Sequence, residues 1–164
     1  MSTVGTFERR DDRGRLHCED GPAVDRAGGQ REWWVRGLRH RKDGPAIVHA
    51  DGCREYYHNG LRHRENGPAV EDCASGTREW FVHGQRHRDG GPAVEQGDGT
   101  LTWWFNGLRH REDGPAIEWA NGTRSWHLED RELSEEEWLL EMQARALAVV
   151  VTPGQRSRPS ALTE

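Results

Sequence analysis

Between residues 14 and 133 the apolar positions fall into short stretches of two kinds. One kind follows a proline, as in Ala-Ile-Val-His at residues 46–49, and the other carries two adjacent aromatic residues, as in Arg-Glu-Tyr-Tyr-His at residues 54–58. Neither kind shows helical spacing, and short stretches bounded by glycine turns are typical of β-strands. The pattern therefore predicts two antiparallel strands in each unit, with one hairpin following the next.

Two glycine turns separate these stretches within each unit. Asp51-Gly52 follows the first stretch and Asn59-Gly60 follows the second. Both pairs are strong hairpin signals, because glycine adopts a positive φ without steric cost. Glycine recurs at the equivalent places of the other units, namely Gly29, Gly76, Gly99 and Gly122 for the first turn and Gly37, Gly84 and Gly107 for the second.

The tripeptide Gly-Pro-Ala shows that the units are copies of one another. It occurs five times, beginning at Gly21, Gly44, Gly67, Gly91 and Gly114, at intervals of 23 or 24 residues, which is the signature of a repeat array. Only 33% of the residues are hydrophobic and 31% are charged, so a thin array whose units cover each other is more feasible than a thick core. Disorder is the other interpretation of such polarity, but disordered segments are poor in aromatic residues.

We therefore predict a mainly β fold, an elongated single-layer antiparallel sheet of tandem β-hairpin repeats with a C-terminal capping α-helix. The predicted parts are an N-terminal arm or partial capping strand over residues 1–13, five repeats over residues 14–133, the capping helix over residues 134–151 and a flexible tail over residues 152–164. Val4 and Phe7 supply the apolar positions of the arm. Ser134 and Glu137 form a capping box at the start of the helix, which we expect to cover the last hairpin near Trp126 and Leu128.

The seven residues His-Arg-Glu-Asp-Gly-Pro-Ala stand at positions 110–116, and residues 40–46 and 63–69 each differ from them at one position. This motif resembles the bacterial and viral variant of the MORN-type repeats. The unit at His87 departs from it with Gly90 at the aspartate position, and the first unit has Cys18 where arginine is usual. The resemblance covers residues 14–133 and implies an elongated sheet of hairpins that serves as a binding or scaffolding surface. The family brings no catalytic motif to transfer.

The paired aromatic residues form two rows, because neighbouring side chains of a strand point to opposite faces. The first row is Trp33, Tyr56, Trp80, Trp103 and Trp126, and the second is Trp34, Tyr57, Phe81, Trp104 and His127. The first row shares its face with mostly apolar side chains, and we expect it to be the core. The second shares its face with glutamates, and we expect it to be an exposed contact surface. The alternative is that both rows only pack on neighbouring strands.

Arginines recur one residue before the histidine of each motif, at Arg39, Arg62, Arg86 and Arg109. They could form a basic stripe that grips phosphates or carboxylates, although acidic residues follow within each unit and could neutralise them. Tryptophan, tyrosine and arginine dominate the energetics of interfaces. The predicted binding residues are therefore Trp34, Tyr57, Phe81, Trp104, Arg39, Arg62, Arg86 and Arg109.

The histidine row is the most tempting metal site, but its spacing argues against one. His17, His40, His63, His87 and His110 recur once per unit. Two strands per unit place equivalent residues roughly 9–10 Å apart, whereas zinc needs each donor nitrogen at about 2.0–2.1 Å. We predict no metal and a structural role for the row, each imidazole being paired within its own turn with a nearby aspartate or a backbone carbonyl.

Catalytic and redox signatures are absent from the sequence. Cys18, Cys53 and Cys73 are odd in number and lie at unmatched places in the unit, which fits neither a disulfide framework nor a zinc cluster. We therefore expect reduced thiols and a cytoplasmic location. No serine lies in a Gly-x-Ser-x-Gly context, and no glycine-rich loop is followed by the lysine of a phosphate-binding loop. We predict that the chain is not an enzyme and uses no cofactor.

The charge balance narrows the class of partner. The net charge is −5, from 23 basic and 28 acidic residues, which argues against nucleic acid as the partner. No apolar run approaches the ~18 residues of a membrane span, and residues 1–10 lack the apolar stretch of a secretion signal. The predicted function is a non-enzymatic protein-binding or scaffold module. The alternatives are sequestration of a small, nucleotide-like anion in bacterial or phage conflict, and a homodimer formed through the polar-aromatic face.

Overall fold

Each unit turns twice, and glycine lies in both turns of the first four units, whereas Glu129-Asp130 forms the second turn of the fifth. The computed structural model describes residues 5–151, with side chains through residue 148. At the first turn Gly52 has a φ of 93°. At the second, Asn59 and Gly60 have φ values of 49° and 84°, the two consecutive positive values of a type I′ turn. The same geometry recurs at Arg36-Gly37, His83-Gly84 and Asn106-Gly107, so the predicted turns are confirmed.

The described residues form twenty short strands and one helix. In chain order these are β1 Phe7–Glu8, β2 Val24–Asp25, β3 Arg31–Glu32, β4 Trp34–Val35, β5 Leu38–Arg39, β6 Ile47–Val48, β7 Arg54–Glu55, β8 Tyr57–His58, β9 Leu61–Arg62, β10 Val70–Glu71, β11 Arg78–Glu79, β12 Phe81–Val82, β13 Gln85–Arg86, β14 Val94–Glu95, β15 Leu101–Thr102, β16 Trp104–Phe105, β17 Leu108–Arg109, β18 Ile117–Glu118, β19 Arg124–Leu128, β20 Arg131–Leu133 and α1 Glu135–Val151. Twelve strands pair antiparallel in one sheet, in the order β1-β2-β3-β6-β7-β10-β11-β14-β15-β18-β19-β20. The predicted mainly β fold of consecutive hairpins with a C-terminal helix is confirmed.

The aromatic stretches of the first four units are broken at their first aromatic residue, so the prediction of one continuous strand per stretch is wrong there. Trp33 donates its N–H to the carbonyl of Ala46 at 2.8 Å, while its own carbonyl accepts the N–H of His40 at 3.1 Å. The chain therefore changes partner at Trp33. The residues beyond it form a separate two-stranded ribbon, β4-β5, and β8-β9, β12-β13 and β16-β17 repeat this arrangement.

The Gly-Pro-Ala tripeptide combines a fully buried alanine with a glycine that lies against an arginine. Its alanines, Ala23, Ala46, Ala69, Ala93 and Ala116, are all 0% exposed. A Cβ placed on Gly44 would lie 3.2 Å from the guanidinium carbon of Arg41. The alanine therefore fits a closed site in the sheet, and the glycine leaves room for the arginine three residues before it.

The extra residue of the third unit lies in its first turn, and the next unit accommodates it. A Cβ on Gly97 would lie only 1.7 Å from the carbonyl oxygen of Ser75, an impossible contact with the backbone. The equivalent residues Ala27, Ala50 and Ala120 all carry a methyl group. Gly97 is thus the residue that lets a lengthened turn lie against its neighbour.

Both ends of the sheet carry added elements. Strand β1 pairs with β2 at the N-terminal end, and Val4 lies outside the described residues. At the other end the backbone N–H of Ser134 donates to the Glu137 carboxylate at 2.8 Å, and that of Glu137 donates to the Ser134 hydroxyl at 3.3 Å. This is the predicted capping box. The predicted tail at residues 152–164 also lies outside the described residues.

Trp138 of α1 packs on the last hairpin, as predicted for the capping helix. It forms a buried cluster with Leu128 and Leu133, and Trp126 and Met142 pack against this cluster. The helix therefore covers the apolar side chains of the fifth unit.

Candidate binding surfaces

Arginines of one row stack on the first aromatic residue of the preceding aromatic stretch, an arrangement that we call the clamp. The guanidinium carbon lies 4.0 Å from the ring centroid for Arg41 on Trp33, and 3.8 Å for Arg64 on Tyr56, Arg88 on Trp80 and Arg111 on Trp103. Nη1 of Arg41 also donates to the carbonyl of Pro45 at 3.2 Å. Since the two members of each clamp are eight residues apart, the contact is local in sequence.

Carboxylates complete the clamps of three units. Arg64 pairs with Glu71 at 2.5 Å, Arg88 with Glu95 at 2.6 Å and Arg111 with Glu118 at 2.8 Å. Val48 stands at the equivalent place beside Arg41. Within the described part of the chain, Arg41 therefore has no carboxylate at ion-pair distance.

The eight predicted binding residues alternate in a single row, which we call the ladder. In order it consists of Trp34, Arg39, Tyr57, Arg62, Phe81, Arg86, Trp104 and Arg109. Arg39 lies 5.0 Å from the ring centroid of Trp34 and 5.5 Å from that of Tyr57, which belongs to the next unit. Each of the first three arginines bridges two units in this way. The structure thus brings all eight residues together.

The ladder face is the more buried of the two aromatic faces, contrary to the expectation from the strand pattern. Phe81 is only 7% exposed, and Glu32, Thr102, Ser125 and His127 on the same face are buried. The expected core face instead leaves Phe105 48% exposed. The reason is that the glutamates are satisfied: Glu32 accepts the indole N–H of Trp34 at 3.1 Å and pairs with Arg39 at 3.5 Å. Side chains of Arg39, Arg62, Arg86 and Arg109 remain 37–39% exposed.

Ion pairs neutralise the ladder arginines. Arg62 pairs with Glu55 at 3.0 Å, Arg86 with Glu79 at 2.7 Å and Arg109 with Asp130 at 3.0 Å. Burial acts to raise the pKa of Glu55, but hydrogen bonds from His49, Tyr57 and Arg62 outweigh it and hold that pKa below its usual value. The row is therefore not a stripe of free positive charge.

The fourth unit lacks the ladder carboxylate. Thr102 stands where Glu32, Glu55 and Glu79 stand in the other units. As a result the buried indole Nε1 of Trp104 has no hydrogen-bond partner among the described residues. An unsatisfied buried donor costs about 1–3 kcal/mol.

The fifth unit places a serine, a histidine and a glutamate together, but in an arrangement that does not activate the serine. The Ser125 hydroxyl lies 2.8 Å from Nε2 of His127 and 2.9 Å from the Glu132 carboxylate. Because Glu132 is the acceptor, the hydroxyl donates its proton to it and receives the N–H of His127. A nucleophilic serine requires the opposite polarity, with the histidine accepting and the carboxylate behind it.

The histidine row links consecutive units. Nδ1 of each histidine accepts the backbone N–H of a residue in the next unit's second turn, as for His40 and Asn59 at 3.1 Å or His63 and His83 at 3.2 Å. His17, His87 and His110 repeat this bond at 3.1–3.3 Å. The expected acidic neighbour is present in four units, 3.3–4.0 Å from Nε2. The expected local pairing with an acidic residue is therefore found, but Nδ1 also bonds a second turn 19 or 20 residues further along the chain, which the sequence did not indicate.

Three exposed leucines of the hairpins directly follow the glycine of the second turn. Leu38 and Leu61 are 50% exposed and Leu108 is 42% exposed, and Gln85 takes this position in the third unit. We call these four residues the tip row. Sequence reasoning missed them, although three Gly-Leu pairs at the repeat interval were a usable signal.

Three open grooves run between the loops of successive units, and we name each by the aromatic residue on its floor. The Tyr56 groove has a volume of about 520 Å³, the Trp80 groove about 500 Å³ and the Trp103 groove about 780 Å³. The walls of each are the clamp arginines of two successive loops, and one histidine of the histidine row lines it. The grooves are therefore three copies of one structural feature.

Across residues 5–151, no three His, Cys, Asp or Glu side chains come together in a way that could hold a metal ion. Over the same residues, no helix is long and apolar enough to cross a membrane. Comparison with protein-family models, curated proteins and solved structures finds no match to this chain. The resemblance to MORN-type repeats therefore stays a prediction.

Proposed function

We propose that this chain is a non-enzymatic protein-binding scaffold whose partner contacts the tip row and the exposed edges of the ladder arginines. The tip row is the observation that carries the proposal. Leu38, Leu61 and Leu108 are half-exposed at equivalent positions, and such positions recur roughly every 9–10 Å along the sheet. Single exposed leucines need no explanation, but three exposed leucines at equivalent positions give the sheet a repeated apolar contact surface, which Gln85 interrupts once. The three free thiols suit a cytoplasmic setting.

The test exploits the natural variation within the repeat. Gln85 occupies the tip position of the third unit, so the triple variant Leu38→Gln, Leu61→Gln, Leu108→Gln should fold. The matched control places glutamine at three exposed positions of the first turns, Ala27, Ala50 and Ala120. In quantitative affinity capture from the native host, we expect proteins retained by the wild type and the control to be lost from the tip variant. Equal recovery on all three baits would reject the tip row as the contact.

The alternative, a small anionic ligand, is favoured by one observation in the Tyr56 groove. Arg41 and Lys42 line this groove together with Arg64, His58 and Tyr56. Neither Arg41 nor Lys42 has an ion-pair partner among the described residues, and Glu65 is the one carboxylate that lines the groove. The groove therefore keeps an excess of positive charge, whereas the ladder arginines are neutralised.

Thermal-shift measurements with nucleotides test the alternative. A ligand at 100 times its Kd stabilises the folded state by about 2.7 kcal/mol, which gives a clear rise in Tm. The variant Lys42→Glu should abolish the rise, and it should fold because Glu65 and Glu112 occupy the equivalent positions. A rise that Lys42→Glu leaves unchanged would place the anion elsewhere.

A further inference from the structure

The fifth unit shows what the repeated groove accepts, because α1 fills it. Trp126, Leu128 and Leu133 stand where Trp103, Phe105 and His110 line the Trp103 groove. Trp138 packs on Leu128 and Leu133. Its indole Nε1 also donates to the carbonyl oxygen of Arg111 at 3.1 Å. An inserted indole therefore meets both the apolar and the polar requirements of this site.

The Trp103 groove has the same parts and is open. Phe105 is 48% exposed and Leu108 lies beside it. The carbonyl of Arg88 takes the place of that of Arg111, and it accepts no hydrogen bond from the described residues. Arg145 of α1 lines the same groove, so the open site is continuous with the surface that the helix already covers.

The repeat spacing leaves room for a second helix beside α1. Equivalent positions of neighbouring units lie roughly 9–10 Å apart, and the axes of packed helices lie about 8–10 Å apart. A helix in the Trp103 groove would therefore contact α1 without displacing it.

We propose that the Trp103 groove binds an amphipathic helix of a partner protein, which inserts a tryptophan over Phe105 and donates its indole N–H to the carbonyl of Arg88. The charged side chains beside the Trp103 groove follow the arrangement seen where α1 packs on the fifth unit. Arg145, seven residues after Trp138, pairs with Glu112 at 2.8 Å, and Asp89 stands at the equivalent place of the preceding loop. A basic residue two turns after the partner's tryptophan would pair with Asp89. This inference rests on the proposed scaffold function and names one of its contact sites.

The chain's own helix supplies the probe. A labelled peptide of residues 134–148 is cross-linked between positions 140 and 144, which are exposed in α1 and face the same side of a helix, so that it is helical in solution. Its binding to the full chain is measured by fluorescence anisotropy. The protein variants are Phe105→Glu and, as a control of similar exposure and equal charge outside the grooves and the tip row, Trp119→Glu. The peptide variant is Trp138→Ala.

We expect saturable binding to the wild type and to Trp119→Glu, and a loss of at least about tenfold with Phe105→Glu or with the Trp138→Ala peptide. No binding, or equal binding to Phe105→Glu, would overturn the proposal. The remaining candidate for the groove is a second copy of this chain, which sedimentation tests. A wild-type dimer that Phe105→Glu makes monomeric would identify that occupant and would also overturn the proposal. If the peptide fails while the tip variant still loses its captured partners, the groove is rejected and the scaffold function stands.

Discussion

The clamp and the ladder pair arginines with aromatic rings over different ranges of the chain. In the clamp, the guanidinium carbon lies 3.8–4.0 Å from one ring, eight residues away. In the ladder, distances are 5.0–5.9 Å, and the second ring belongs to the next unit. The stability of a repeat array is approximately a sum of terms within units and terms between neighbours. We infer that the clamp supplies the first kind and the ladder the second.

The largest expected difference between the rows comes from removing one arginine of each. Arg64→Ala loses the stack on Tyr56 and the bond to Glu71, two contacts that together contribute about 2–3 kcal/mol. Arg62→Ala removes a more exposed arginine with longer ring contacts, and we expect a cost of about 1 kcal/mol. Urea unfolding measures both. Arg64→Lys, which keeps the charge but loses the planar stack, serves as the control. A larger cost for Arg62→Ala would reverse the assignment of the two rows.

Two glycines that contact clamp arginines allow the cost of backbone strain to be distinguished from the cost of crowding the arginine. Gly67 has a φ of 136° and a Cβ there would lie 3.1 Å from the guanidinium carbon of Arg64. Gly114 has the same contact with Arg111, at 3.0 Å, but its φ lies outside the positive range. We expect Gly67→Ala to cost about 2 kcal/mol and Gly114→Ala about 1 kcal/mol, since strain at such a φ adds about 1–3 kcal/mol. Equal shifts in the urea midpoint would show that strain at Gly67 is unimportant.

The features that the sequence predicts well are local ones. Asn59-Gly60 predicts its turn because the φ requirement lies in the two residues themselves, and Ser134 with Glu137 predicts the helix start for the same reason. The break at Trp33 depends on Ala46 and His40, whose placement no alternation pattern contains. From the sequence Glu32 is expected to be exposed. The structure buries it, because Trp34 and Arg39 donate hydrogen bonds to its carboxylate. The open grooves can be recognised as binding sites only because Trp138 fills the equivalent groove of the fifth unit.

The histidine row is a second contact between units, and two of its members, His40 and His63, have shifted pKa values. Burial first, and then repulsion from His58 for His40 and from His83 for His63, lowers the pKa of both imidazoles below the ordinary value of 6.5. The folded state therefore favours the neutral form, whose Nδ1 accepts a backbone N–H. This stabilisation is fully present above pH 6.5 and is lost as pH falls through the lower folded-state pKa values.

Mild acid should thus weaken contacts between units while leaving the clamps intact. We expect the free energy of unfolding to fall by about 1 kcal/mol between pH 7 and pH 5.5. His63→Asn offers an acceptor oxygen near the position of Nδ1 and cannot titrate, so it should reduce this slope. Chemical denaturation at each pH measures the effect. A slope that is identical in wild type and His63→Asn would exclude His63 as a source of the pH dependence.

The smallest expected effect comes from completing the ladder in the fourth unit. Thr102→Glu would supply the carboxylate that Glu32 provides to Trp34, and it would give the buried indole N–H of Trp104 an acceptor. We expect a stabilisation of about 0.5–1 kcal/mol, the usual net contribution of a hydrogen bond. Thr102→Gln is the matched control, because it has nearly the same size and an acceptor oxygen but no charge for Arg109. If glutamate and glutamine stabilise equally, the indole bond alone is responsible; if glutamate destabilises, the ladder does not extend its ion-pair chemistry into the fourth unit.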